Sequence, residues 1–102
     1  MPTAKRKTQK KANLLKETEP EKYFLGVDGT VIKSLIDLVD ALETMDDGAF
    51  CHHVNQDRND FYNWIKDAFK ENELATRLLS ANSKRDVQVI ILREIVKRKA
   101  KV

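Results

Sequence analysis

The sequence predicts a mainly α-helical domain, with a short β-hairpin near its N-terminus and a disordered basic arm before the hairpin. Apolar residues recur at intervals of three and four positions along most of the chain, which is the spacing of one helix face. Hydrophobic residues make up 41% of the sequence, enough for one modest core. The first twenty positions, however, hold too few large apolar side chains to offset the entropy lost on ordering. We therefore expect a flexible basic arm over residues 1–20 and a single mostly helical domain over residues 21–102.

A short hairpin is predicted where the folded domain begins. Residues 23–27 are mostly aromatic or apolar, and residues 30–32 can return as a second strand. Asp28 and Gly29 between them form a turn dipeptide. Because a two-stranded hairpin is only marginally stable alone, it has to pack on helices.

About five helical segments are predicted after the hairpin. The first begins at Ser34 as N-cap, with Asp37 three positions later as a short form of the capping box. Its apolar stripe consists of Leu35, Leu38, Val39, Leu42 and Met45. Residues 46–48 end this helix and start a short second one, which runs through Val54 and buries Phe50 and Val54.

The third and fourth helices are predicted from the same two patterns, a capping residue and apolar residues at helical spacing. Asn59 or Asp60 is the predicted N-cap of the third helix, and the fourth follows residues 71–72. The apolar residues of these two helices are Phe61, Trp64, Ile65, Ala68, Phe69, Leu74, Ala75, Leu78 and Leu79.

The last element is predicted to be a helix from Val87 to about Lys99, with Ser83 and Asp86 as its capping signal. Positions 87, 89 and 91 alternate like a strand, but the absence of glycine and proline favours a helix. The apolar face of that helix consists of Val87, Ile91 and Ile95 with Leu92 and Val96.

Charge is segregated along the chain. Residues 1–16 hold six basic residues and no acidic one, and residues 84–102 hold seven basic and two acidic residues. The middle, residues 17–83, holds six basic and fourteen acidic residues. Such basic ends resemble nucleic-acid-binding arms, although they also aid solubility or bind the acidic body of the same molecule. The candidate phosphate-contacting residues are Lys5, Arg6, Lys7, Lys10, Lys11, Lys97, Arg98, Lys99 and Lys101.

The densest group of reactive side chains is Cys51, His52 and His53. A metal site is one interpretation, but consecutive helical residues point about 100° apart, and the chain has no other cysteine or histidine. We favour the interpretation that His53 packs with its ring hydrogen-bonded against the helix of Trp64. A Cys–His nucleophile is disfavoured for the same geometric reason, and no glycine-rich phosphate loop occurs. We expect neither catalysis nor a bound metal or cofactor.

Cysteine usage and hydropathy bear on the compartment. Cys51 is the only cysteine, which excludes an intrachain disulfide and suits a reducing compartment. The longest apolar runs are a few residues long, too short for a bilayer, and no secretory signal is visible. The sequence predicts a cytoplasmic protein that does not bind membranes.

A motif in the middle of the chain resembles a known family. It runs His53-Val54-Asn55, a short spacer, then Asn59-Asp60-Phe61 and Asn63-Trp64-Ile65. Over residues 22–80, which include this motif, the chain resembles an uncharacterised family of small archaeal and bacterial domains, catalogued as a domain of unknown function. The resemblance implies a compact, mainly helical domain of prokaryotic, archaeal origin. It implies no activity.

The side chains of this motif have two interpretations. In the architectural one, Asn59 and Asp60 cap a helix whose Trp64 enters the core. His53 and Asn55 then fix the loop that leads to the cap. If the same side chains instead surround a groove, they form a binding site for a peptide or small ligand. We favour the architectural interpretation.

The leading functional hypothesis is a small non-catalytic binding protein that sits on nucleic acid or a ribonucleoprotein through its basic ends. The competing hypothesis is a protein–protein interaction adaptor that uses its acidic helical body or an apolar groove. A metal-binding protein is a weaker third. The identity of the partner, the choice between DNA and RNA, and the oligomeric state stay open.

Overall fold

The computed structural model describes residues 14–100. Its strands are β1 (Phe24–Leu25) and β2 (Val31–Ile32), and its helices are α1 (Leu35–Thr44), α2 (Asp47–His53), α3 (Asp60–Phe69), α4 (Asn72–Arg77) and α5 (Lys84–Ala100). Short 3₁₀ turns lie at Pro20–Lys22 and Leu78–Ser80. The predicted mainly helical fold with a short N-terminal hairpin is confirmed, whereas the predicted basic arm before residue 14 lies outside the described residues. Six of the candidate phosphate-contacting residues lie outside the described residues: Lys5, Arg6, Lys7, Lys10, Lys11 and Lys101.

The hairpin packs one face on the helices. β1 and β2 are antiparallel, with Phe24 opposite Ile32 and Leu25 opposite Val31. Phe24 and Ile32 are buried, whereas the other pair faces solvent, because successive strand residues point to opposite faces. Gly29 in the turn has a φ of 91°, a backbone conformation that favours glycine.

Side-chain caps begin the helices where the sequence predicts them. The Oγ of Ser34 accepts a hydrogen bond from the N–H of Asp37 at 3.1 Å. Asn59 Oδ1 and Ser83 Oγ each accept one from the N–H three positions later, at 3.0 and 3.1 Å. Each cap satisfies a backbone group that the helix itself leaves without a partner, a contribution of about 1 kcal/mol.

The core lies between the hairpin and two pairs of helices. α1 packs along α5, and α3 packs on α4. The ring of Phe24 lies 5.0 Å from that of Phe61 and 5.6 Å from that of Trp64, measured between centroids, so aromatic contacts join the hairpin to α3. Completely buried apolar side chains come from β2 and from α1, α3, α4 and α5: Ile32, Leu35, Leu38, Phe61, Ile65, Leu74, Val87 and Ile91.

Packing begins earlier in the chain than the sequence predicts. Leu14 is only 3% exposed, and the N–H of Thr18 donates to the carbonyl of Lys33 at 2.8 Å. Residues 14–20 were expected to belong to the flexible arm that ends at residue 20. Leu14 belongs to the same hydrophobic cluster as the helices, which the composition of residues 1–20 does not reveal.

The last element is a helix, as predicted, but its apolar residues do not share one face. Val87, Ile91 and Ile95 are buried, whereas Leu92 and Val96 are exposed. Successive side chains of a helix point about 100° apart, so Leu92 and Val96, which follow Ile91 and Ile95, point away from the core. Leu79, also expected on a buried face, is exposed, whereas Leu78 in the same 3₁₀ turn is buried.

Candidate functional site

His53 lies where the hairpin, α2 and α3 meet. Its side chain is buried, with Nδ1 2.8 Å from Asp60 Oδ2. The backbone N–H of Val27, in the hairpin turn, donates to His53 Nε2 at 3.0 Å. Since Nε2 accepts a hydrogen bond, the proton of the neutral ring belongs on Nδ1, from which it is donated to Asp60. The ring therefore packs against the helix of Trp64, as the architectural interpretation predicts.

Asp60 is the shared acceptor of this cluster. Arg58 donates to its carboxylate from Nε at 3.1 Å and from Nη2 at 2.7 Å, beside the bond from His53. Burial alone would raise the pKa of Asp60, but the hydrogen bonds from Arg58 and His53 outweigh it and lower that pKa. The carboxylate is thus ionised at neutral pH and fully engaged by groups of its own chain.

The polar groups of Asn55, Asn59 and Trp64 in the motif also serve the fold. Asn59 caps α3 and donates from Nδ2 to the carbonyl of Leu78 at 3.0 Å. The indole N–H of Trp64 donates to the carbonyl of Lys22 at 2.7 Å. Asn55 donates to a carbonyl at the end of α2. Asn55 and Asn59 also line a shallow polar groove of about 610 Å³, but their amides are held by these backbone contacts.

The Cys51–His52–His53 group does not converge on one point. Cys51 and His52 are exposed, whereas both ring nitrogens of His53 are engaged in hydrogen bonds. No group of three or more histidine, cysteine, aspartate or glutamate side chains within residues 14–100 has a geometry that could hold a metal ion.

The position of Arg98 differs from the prediction made for it. It was expected to contact phosphate, but its guanidinium nitrogens bind Glu71 at 2.7 and 3.1 Å and Glu94 at 2.8 Å. Arg77 donates to the other oxygen of Glu94 at 2.8 Å. The four residues form a chain of ion pairs that ties α5 to the segment around α4. The Glu94–Arg98 pair could have been anticipated from its i,i+4 spacing, but nothing local indicates Glu71.

These ion pairs shift the titration of their members. Burial would raise the pKa of Glu94, but the hydrogen bonds from Arg77 and Arg98 lower it from 4.5 to about 2. The hydrogen bonds that Arg98 donates to Glu71 raise the pKa of Arg98 against the opposing effect of burial. Arg98 therefore remains a charged structural residue and offers no free cation to a ligand.

Lys97 and Lys99 behave differently from their neighbour. Both are exposed near the C-terminal end of α5, and neither forms an ion pair with another residue of the described range 14–100. Arg93, one turn before Lys97, is likewise exposed and unpaired within that range. We call Lys97 and Lys99 the basic end of α5.

The structure has a second surface on α5 that was not predicted from the sequence. Val89, Leu92 and Val96 are 41%, 39% and 64% exposed and line a groove of about 760 Å³, which we call the outer groove. Arg77 and Ser80 line its other side. The signal was present, because residues 89, 92 and 96 have the spacing of a second helical stripe beside the one that enters the core.

No family model, curated protein or solved structure matches the chain. The resemblance of residues 22–80 to the archaeal and bacterial family stays a prediction. Among residues 14–100, no helix combines the length and the apolar character that crossing a bilayer requires.

Proposed function

We propose that the protein is a non-catalytic binding protein that associates with nucleic acid or a ribonucleoprotein through its basic ends. The observation that carries the proposal is the basic end of α5, where Lys97 and Lys99 project into solvent with no ion-pair partner in residues 14–100. Solvent-exposed cations without ion-pair partners at a helix end are suited to phosphate contacts. The cationic side chains before residue 14, together with Lys101, would extend this contact.

The cluster around His53 supports binding rather than catalysis as the role of this fold. It is the best candidate for proton-transfer chemistry, yet His53 and Asp60 already have their hydrogen-bonding groups engaged by Val27, Arg58 and each other. A general acid or base needs a group that can reach a substrate. In this cluster the same groups hold the hairpin to α2 and α3.

Salt-dependent binding tests the proposal. We expect a labelled DNA duplex or RNA hairpin to bind at low salt and to dissociate as salt rises, with no preference among sequences. The substitutions Lys97→Gln and Lys99→Gln together should reduce the magnitude of the slope of log K against log salt by about two, since each lysine neutralises about one phosphate. Fluorescence anisotropy over a salt series measures this slope.

The matched control removes the same charge elsewhere. Lys84 and Arg85 begin α5, roughly 18 Å along the helix from Lys97, so Lys84→Gln with Arg85→Gln should leave the slope unchanged. Absence of binding at low salt, or an equal loss in the control, would count against the proposal.

The second candidate is a protein–protein interaction adaptor. It is favoured by the outer groove, because exposed apolar side chains next to one another mark surfaces that bind other proteins. This candidate shares Lys97 with the basic end but does not need Lys99 or the cationic residues before residue 14, so variants at those positions separate the two functions.

A further inference from the structure

Helix α5 is apolar on two sides. Val87, Ile91 and Ile95 fill the core, whereas residues 89, 92 and 96 line the outer groove and face solvent. A helix at the surface of a domain normally needs only the first of these stripes, with polar residues opposite. The second stripe runs for about two turns along the helix, long enough to receive another helix.

The outer groove is built by two segments that are fixed to one another. Leu78, in the 3₁₀ turn after α4, is completely buried and anchors the wall that carries Ser80. Arg77 on the same wall is joined to Glu94 of α5 by an ion pair of 2.8 Å. Because both walls are held in this way, the groove is formed before any partner arrives, which reduces the entropy lost on binding.

The rim of the outer groove is positively charged. Arg93 and Lys97 line it, are exposed, and form no ion pair with another residue in the described part of the chain. Glu94 also lines the groove, but its carboxylate is already bound by Arg77 and Arg98. An apolar floor with free cations beside it is complementary to a surface that carries apolar residues between carboxylates.

We propose that the outer groove docks an amphipathic helix of a protein partner, with leucine-like residues on its docking face and aspartate or glutamate on the flank that faces Arg93 and Lys97. This inference rests on the second candidate function. Helices that lie in apolar grooves insert side chains at positions i, i+3, i+4 and i+7, which matches the spacing of Val89, Leu92 and Val96. The acidic flank pairs with Arg93 and Lys97, which lie on the same side of this stripe.

A second copy of this chain fits the surface less well. In a contact between two outer grooves, Arg93 and Lys97 of both copies would lie close together, and juxtaposed like charges are unfavourable. The stripe is also much shorter than the three to four heptads over which a coiled coil is usually recognised. Nucleic acid fits less well too, because the described floor is aliphatic and offers no aromatic ring for base stacking.

Two peptides test the proposal on the full chain. Both are labelled helices of roughly sixteen residues with the same leucine stripe, one with glutamate flanks and the other with lysine flanks. We expect the glutamate-flanked peptide to bind at least about tenfold more tightly at low salt, and the difference to shrink as salt is raised. Fluorescence anisotropy measures both affinities.

Further variants test whether the peptides bind in the outer groove. Leu92→Ser with Val96→Ser should weaken both peptides, whereas Leu25→Ser with Val27→Ser, an equal loss of exposed apolar side chains on the hairpin, should weaken neither. Arg93→Glu with Lys97→Glu should reverse the preference between the peptides. The charge reversal keeps the test decisive even if the serine variant fails to fold, because it leaves the apolar groups in place.

Each contrary result has a distinct meaning. Equal affinity for the two peptides would overturn the acidic-helix inference while leaving the adaptor function standing. Failure of both peptides to bind overturns the docking site itself. A dimer in sedimentation that Leu92→Ser dissolves, without peptide binding, assigns the groove to a second copy and overturns the inference. Loss of duplex binding in the Leu92→Ser variant assigns the outer groove to nucleic acid and also overturns the inference.

Discussion

At the scale of single residues, His53 is the polar side chain that joins three segments. It receives a hydrogen bond from the turn of the hairpin and gives one to the first residue of α3, while its own position ends α2. Its ring also lies 5.0 Å from that of Phe24 and 5.7 Å from that of Phe61, between centroids. One imidazole thus supplies both aromatic packing and two directed hydrogen bonds.

Replacement of His53 by phenylalanine should be strongly destabilising. The ring volume is roughly kept, but the N–H of Val27 and the carboxylate of Asp60 each lose a partner, so we expect a loss of about 2–3 kcal/mol in the free energy of unfolding. Urea denaturation measures it. The adjacent His52 is exposed, and His52→Phe should change the same quantity by less than about 0.5 kcal/mol. Similar losses in the two variants would contradict the architectural role of His53.

At the scale of elements, the chain of ion pairs around Glu94 fixes how α5 is oriented. The bond to Arg98 lies within α5, and the bond to Arg77 reaches the end of α4. Arg98 continues the chain to Glu71, immediately before α4. Removing one buried partner from such a network leaves the others without compensation, so its members are not interchangeable with exposed charges.

This network predicts a pH dependence. The folded-state pKa of Glu94 is about 2, below its ordinary value of 4.5. Because the unfolded chain binds this proton at a higher pH, the stabilisation is fully present above about pH 4.5 and is lost as the pH falls toward 2. We expect Glu94→Gln to lower the free energy of unfolding by about 2 kcal/mol at neutral pH and by much less near pH 2. Urea denaturation across this pH range measures the difference.

Glu73, exposed on α4, provides the control for this pH dependence. Glu73→Gln should change stability little at either end of the range, since the side chain is solvated. A Glu94→Gln deficit that stays constant from neutral to acidic pH would show that the carboxylate charge is not what stabilises the folded state.

At the scale of the whole molecule, the two proposed functions rest on segregated charge and on two exposed surfaces of α5. The basic end and the outer groove share Lys97, yet their chemistry differs. Cations alone suit phosphates, whereas cations beside an apolar floor suit an acidic helix. The contribution of the N-terminal cations to nucleic-acid binding can be measured separately.

Deletion of residues 1–13 removes five cationic side chains and stops before Leu14, which is buried and therefore belongs to the folded part. We expect the deletion to reduce the magnitude of the salt slope of duplex binding by up to about five, and to leave peptide binding at the outer groove unchanged. Anisotropy with both probes makes the comparison. An unchanged salt slope would limit the nucleic-acid proposal to the basic end of α5.

The order of helices, their caps and most of the core follow from the sequence by itself. Ser34, Asn59 and Ser83 cap helices, and residues at three- and four-residue spacing fill the core, because both rules act between near neighbours in the chain. The tertiary structure alone decided that Leu14 is buried, that Arg98 is paired with Glu71, and which of the two apolar stripes of α5 enters the core. These outcomes depend on which distant segments meet, and local spacing carries no information about the distance between segments that are far apart in the chain.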